Sequence, residues 1–181
     1  NIYKLYCNMI IMLQEIKEII ILQKREIQLK LKEKYINRNQ DLKLDNDLIK
    51  VIIGPRRAGK SFFALHFLNK RENFGYVNFD EEKLTEVDNY NEIITAINSV
   101  YNNPKIVLFD EIQNLPKWEL FANRLQRQGY KLIITGSNSN LLSKELATHL
   151  TGRHLLTNIF PFSFKEFLKF ENKELTDTEI K

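Results

Sequence analysis

The chain has 181 residues, 43% of them hydrophobic and 28% charged, which is enough for one α/β domain with its own core. Its net charge of +4 suits an anionic ligand but is too small to point to nucleic acid. A single cysteine, Cys7, excludes an intrachain disulfide and a cysteine metal site, as expected of a reducing cytoplasm; no apolar run reaches the length of a membrane span, and no small-residue cleavage site of a signal peptide follows the apolar run near the start.

The first residue is Asn1 rather than Met, with Met9 and Met12 as alternative starts. From about Ile10 to Tyr35 the spacing predicts one long helix. Ile16, Ile19, Ile20, Ile27 and Leu31 share a face, while Lys17, Lys24, Lys30 and Lys34 alternate with Glu15, Glu18, Glu26 and Glu33. A helix packed over the rest of the chain is the first expectation; a basic arm or a membrane-surface helix is the alternative. Residues 37–41 read as a loop.

Residues 48–53 (LIKVII) predict a buried strand, and residues 61–71 a helix. Between them Gly54, Pro55, Arg56, Arg57, Ala58, Gly59, Lys60 and Ser61 match the phosphate-loop pattern G-x-x-x-x-G-K-[ST], in the strand–loop–helix context that the pattern requires. The glycines let successive N–H groups turn inward, and the helix N-terminus adds its positive end. Lys60 is placed to reach the β- and γ-phosphates and Ser61 to offer its hydroxyl to Mg²⁺; Phe62 completes the expected nucleotide-binding set.

Further strands are predicted near 74–79, 105–109, 130–135 and 154–160, with helices near 91–102, 117–128, 139–150 and 163–170. Residues 102–104, Pro116 and Gly129 punctuate the turns. Such alternation predicts a parallel sheet with helices on both faces and ligands at the carboxyl ends of the strands. The strand ending at Phe109 is followed by Asp110 and Glu111. Asp110 is the expected metal-shell carboxylate and Glu111 the base for an attacking water. Asp80, at the tip of the second strand, is read either as close to the metal or as bound to a neighbouring helix.

The strand 130–135 ends in Gly136-Ser137-Asn138. Ser137 and Asn138, with Thr135 behind them, are candidates to touch the γ-phosphate; the other reading makes them a helix N-cap. Arg153 could neutralise phosphoryl charge, within the chain or across a subunit boundary, or be an ordinary surface arginine. A guanine-reading motif is missing: the nearest string, residues 69–72, follows the first core helix directly and ends in Glu72, which favours ATP over GTP.

The segments GPRRAGKS, IVLFDEIQ, LIITGSNSNLL and TGRHLLTNIFPFSFKEFL together resemble the archaeal and bacterial AAA-type predicted ATPases, over about Ile16 to Leu168. The resemblance implies an AAA+ P-loop NTPase sandwich with a parallel sheet in the order 5-1-4-3-2. It makes Gly54, Gly59, Lys60 and Ser61 a Walker A motif and Asp110 and Glu111 a Walker B motif. It puts Ser137 or Asn138 at sensor 1, Arg153 at a finger-like position, and Tyr35 and Arg38 near the nucleotide base. The expected organisation is a helical segment over 1–40, the ATPase domain over 41–171 and a tail over 172–181. Family members are usually longer, with a further C-terminal region. The implied activity is Mg²⁺-dependent hydrolysis of ATP in the cytoplasm, or else a nucleotide-gated binding module with little turnover. Expected partners are ATP and a second copy; a protein or nucleic-acid partner is not identifiable, and none is a membrane.

Overall fold

In the computed structural model, which describes residues 2–71, 73–137, 150 and 152–173, the apolar segments form five short strands. These are β1 (Ile49–Ile53), β2 (Phe74–Asn78), β3 (Ile106–Asp110), β4 (Lys131–Gly136) and β5 (His154–Asn158). All neighbouring pairs are parallel and the order is β2-β3-β4-β1-β5, the expected 5-1-4-3-2 read from the other edge. This is a P-loop NTPase fold. The central strands are apolar on both faces because helices cover both sides. Ile49, Val51, Ile52, Leu108, Phe109, Ile133 and Ile134 are fully buried, each side chain contributing about 1.5–3 kcal/mol of burial.

Lys50 breaks that apolar run and is nonetheless buried. Its amine donates to Asn46 Oδ1 below the sheet, so the stem packs while the charge finds a partner. Burial, the largest influence, depresses its pKa.

The helices are α1 (Ile2–Lys30), α2 (Lys60–Asn69), α3 (Glu82–Thr85), α4 (Asn91–Tyr101), α5 (Trp118–Arg127) and α6 (Phe164–Phe170), with a 3₁₀ turn over Ile112–Asn114. Neither α3 nor the 3₁₀ turn is foreseen in the sequence. The expected helix over 139–150 lies outside the described residues, apart from Leu150. Helix α1 buries Ile16, Ile20 and Ile27 and packs on α4 and β2. Gln23, on the same stripe, both donates to and accepts from the backbone of Asn78, each at 2.9 Å. An open sheet edge invites pairing with another chain, and here a side-chain amide closes part of it. Lys24 caps the far end of α4 by donating to the Val100 carbonyl at 2.8 Å.

Helix α1 ends at Lys30, five residues before the expected limit. Lys32 and Glu33 N–H groups tighten onto Leu29 and Lys30 carbonyls, and Tyr35 is drawn onto α2, where its ring stacks on His66 at 4.0 Å. Among the described residues no helix is long and apolar enough to cross a membrane.

Candidate functional site

The glycine loop 54–59 leaves the end of β1 beside the continuation of β5. A Cβ on Gly54 would sit 1.9 Å from the Ile159 carbonyl oxygen, so no side chain fits there. Gly59 adopts φ 88°, ψ 25° immediately before α2, a left-handed conformation natural to glycine. The first N–H groups of α2 have no intrahelical partner, as at any helix start, and no side chain caps them. An uncapped helix start of that kind is suited to receive an anion. Pro55, Arg56, Arg57 and Ala58 form the loop between the two glycines; Ala58 is buried, whereas Arg56 and Arg57 are exposed and Arg57 turns at φ 64°.

Opposite the loop, β3 delivers two carboxylates with different surroundings. Asp110 is buried and accepts from Ser61 Oγ at 2.7 Å, from Tyr76 Oη at 3.0 Å and from the Thr135 hydroxyl. Burial raises its pKa and outweighs the three hydroxyl bonds that favour the ionised form. The sheet dictates these partners. Pairing of Phe109 with Ile134 brings Asp110 beside Thr135, and pairing of Leu108 with Tyr76 puts the Tyr76 ring on the same face. The buried carboxylate in turn pushes the Tyr76 hydroxyl pKa far up, second to burial itself.

Glu111 takes a left-handed backbone, φ 50°, ψ 45°, which turns the chain out of the strand. Its N–H donates to Thr135 Oγ1 at 3.1 Å, so one threonine ties both acidic residues to β4. Glu111 Oε2 accepts from Gln113 Nε2 at 2.7 Å and from the Ser137 N–H at 3.0 Å. Its Oε1 lies 3.6 Å from Lys60 Nζ, which also donates to the Pro55 carbonyl at 3.2 Å. Burial would raise the Glu111 pKa, but the Gln113 and Ser137 bonds and the Lys60 charge hold it below the usual range. Lys60 is buried among polar groups, not against an apolar wall.

The structure thus brings Lys60, Ser61, Asp110, Glu111 and Ser137 to one end of the sheet. Asn138 lies outside the described residues. Asp80 is bound to Asn114 of the 3₁₀ turn at 3.0 Å, in keeping with the neighbouring-element reading. Arg153 is placed at the opposite end: it precedes His154, which pairs with Ile49 at the start of β1, about 13 Å of strand below the glycine loop. Service by Arg153 to its own chain's phosphates is corrected on that ground; the readings across a subunit boundary or as a surface arginine are the ones compatible with this placement.

Ser61 and Asp110 are both hard oxygen donors held side by side, which suits Mg²⁺ completed by phosphate oxygens and water. Among the described residues no cluster of three or more His, Cys, Asp or Glu competes for that task.

A second wall flanks the loop. Phe62 and Tyr35 meet edge-on at 5.6 Å, and His66, whose pKa burial lowers, stacks on Tyr35. A cavity of about 150 Å³ opens between Tyr35, Ile36, Gly59, Phe62 and Pro161. Arg38 fixes this wall: Nη1 donates to the Ala58 carbonyl at 3.0 Å, Nη2 to the Phe160 carbonyl, and Nε pairs with Glu166 at 2.9 Å. Glu166 also closes the capping box of α6 through Ser163. Sequence reasoning placed Tyr35 and Arg38 here only through the resemblance, and missed Tyr76, Gln113, His66 and Glu166. The capping pattern Ser163-x-x-Glu166 was the one visible signal among them.

Comparison with known proteins bears on this arrangement. The family model described as "AAA domain" matches residues 46–168. An uncharacterized protein of Methanocaldococcus jannaschii is 47% identical over 145 residues, covering 78% of this chain and 33% of that protein. One from Haemophilus influenzae is 37% identical over 139 residues, covering 71% of this chain and 35% of its own length. The chain therefore spans about a third of the length of the curated relatives it matches. Among solved structures it is similar to domain III of the Thermotoga maritima replication initiation protein DnaA, with 15% identity, TM-score 0.42, and 72% and 65% of the two chains covered. It is also similar to C. elegans PCH-2, with 14% identity, TM-score 0.42, and 92% and 48% covered.

Proposed function

We propose, from the premise that this chain belongs to the family of AAA domains and is an ATP-binding AAA-type protein, that it hydrolyses ATP with Mg²⁺ at the Walker A and Walker B residues. The amides of the glycine loop and of the start of α2 receive the β- and γ-phosphates. Lys60 adds positive charge there, and Ser61 and Asp110 would hold the metal. Bound Mg²⁺ would supply neutralisation of phosphate charge. Glu111 orients a water and takes its proton as the water oxygen bonds to the γ-phosphorus and the bond to the ADP oxygen breaks. Gln113 and the Ser137 N–H hold Glu111 Oε2, which leaves Oε1 on the Lys60 side, facing the loop. Tyr35, Phe62 and the adjoining cavity receive the base.

The observation that carries this reading is the meeting of loop and strand tip: Ser61 Oγ at 2.7 Å from Asp110, with Lys60 Nζ at 3.6 Å from Glu111. Phosphate release by wild type and Glu111→Gln tests it. General-base loss should slow turnover about 10²–10⁴-fold while ATP binding stays. Equal turnover by both proteins removes Glu111 as the base. A second reading, a nucleotide-gated module with negligible turnover, is favoured by the engagement of Glu111 with Gln113 and Ser137. It predicts ATP binding with no phosphate release from wild type.

A further inference from the structure

Away from the glycine loop, a cleft of about 540 Å³ runs along α5. Four cations line it, Lys117, Arg124, Arg127 and Arg153, and no carboxylate is among its described lining residues. None of the four belongs to an ion pair with a described carboxylate. Acids flank both ends: Asp88 and Glu119 act on the Tyr90 hydroxyl at the Lys117 end, where burial first and then these two charges raise its pKa, and Asp47, whose carbonyl accepts from Gln126 of α5 at 2.7 Å, lies towards the other. Lys117 immediately precedes α5, and Arg124 and Arg127 follow seven and ten residues later. At 3.6 residues per turn and 1.5 Å per residue, the three lie along one side of the helix over about 15 Å. Arg124 is held in place, donating to Asn91 Oδ1 at 2.6 Å with its guanidinium 5.5 Å from the centre of the buried Phe121 ring.

Cations with no ion pair among the described residues, set in a line within a concave surface, suit a ligand with regularly repeated negative charge. A folded protein partner would ask for an apolar centre to the interface; the cleft's exposed apolar side chain is Leu120, while Phe121 is buried. We infer that this cleft binds the sugar-phosphate backbone of a nucleic-acid strand, through phosphates and without reading bases. The chain's overall +4 is modest, so the charge that matters is local.

Fluorescence anisotropy of a labelled 20-nucleotide single strand, and of the matching duplex, over a salt series reads this directly. Wild type should bind, with affinity falling with log salt by a slope of about −0.7 per phosphate contact on the single strand, or about −3 for four contacts. The double variant Lys117→Glu/Arg127→Glu, at two exposed positions, should weaken binding at least tenfold and flatten the slope. Lys117→Gln/Arg127→Gln guards against misfolding and should give a smaller loss in the same direction. Lys60→Ala should leave strand binding unchanged, which separates this inference from the ATP reading. No binding by wild type, or equal affinity and slope in the double variants, overturns it. So does loss of ATP-dependent self-association alone, which would give the cleft to a second copy's nucleotide.

Discussion

The two walls of the nucleotide cleft are held by different kinds of contact. On the phosphate side the closest constraint is backbone against backbone, with Gly54 under the Ile159 carbonyl, and one short buried side chain, Thr135, ties the Asp110–Glu111 turn to β4. On the base side, side chains from distant segments converge, and Arg38 joins residues 31–48, the glycine loop and the start of α6. A backbone constraint has no room to relax, whereas a side-chain clamp can be loosened by degrees. The phosphate wall should therefore be brittle to substitution and the base wall graded.

That contrast breaks first at Gly54. Gly54→Ala puts a Cβ 1.9 Å from the Ile159 oxygen. It should cost about 3 kcal/mol or more, lowering Tm by roughly 6–12 °C. An unchanged melt would mean the loop can open away from β5. Arg38→Ala should be milder, weakening ATP binding by about tenfold, in line with charge-assisted bonds worth ~1.5–3 kcal/mol. Arg38→Lys should fail to restore it, because an ammonium cannot reproduce the planar fork that meets two carbonyls and Glu166. Full affinity in Arg38→Lys would reduce the clamp to a simple charge.

The smallest expected effect lies at Gln113. The bond it gives stabilises ionised Glu111, so Gln113→Leu should raise that pKa and move the acid limb of the kcat/KM profile to higher pH. The sign follows from Glu111 acting only when deprotonated. A profile that stays in place would show that Ser137 and Lys60 suffice.

The same contrast explains what could be read in the chain beforehand. The phosphate wall comes from two contiguous motifs whose spacing carries its own geometry, so Lys60, Ser61, Asp110 and Glu111 were legible without a structure. Tyr76 was not, because its bond to Asp110 exists only once β2 and β3 pair in register. Gln113 depends on the 3₁₀ turn after Glu111, and His66 on the early end of α1, which frees Tyr35 to stack on it. Arg153 shows the reverse: its place just before the last strand left a role towards its own chain's phosphates open, but strand direction puts it at the opposite end of the sheet.

Calorimetric titration of ATP with Mg²⁺ into wild type and Lys60→Ala is the direct test of a phosphate site built on the glycine loop. Wild type should bind one ATP per chain, and Lys60→Ala should bind at least about tenfold more weakly, as loss of a charged donor to phosphate requires. Equal affinity in the two proteins, or no heat from wild type, would contradict the account.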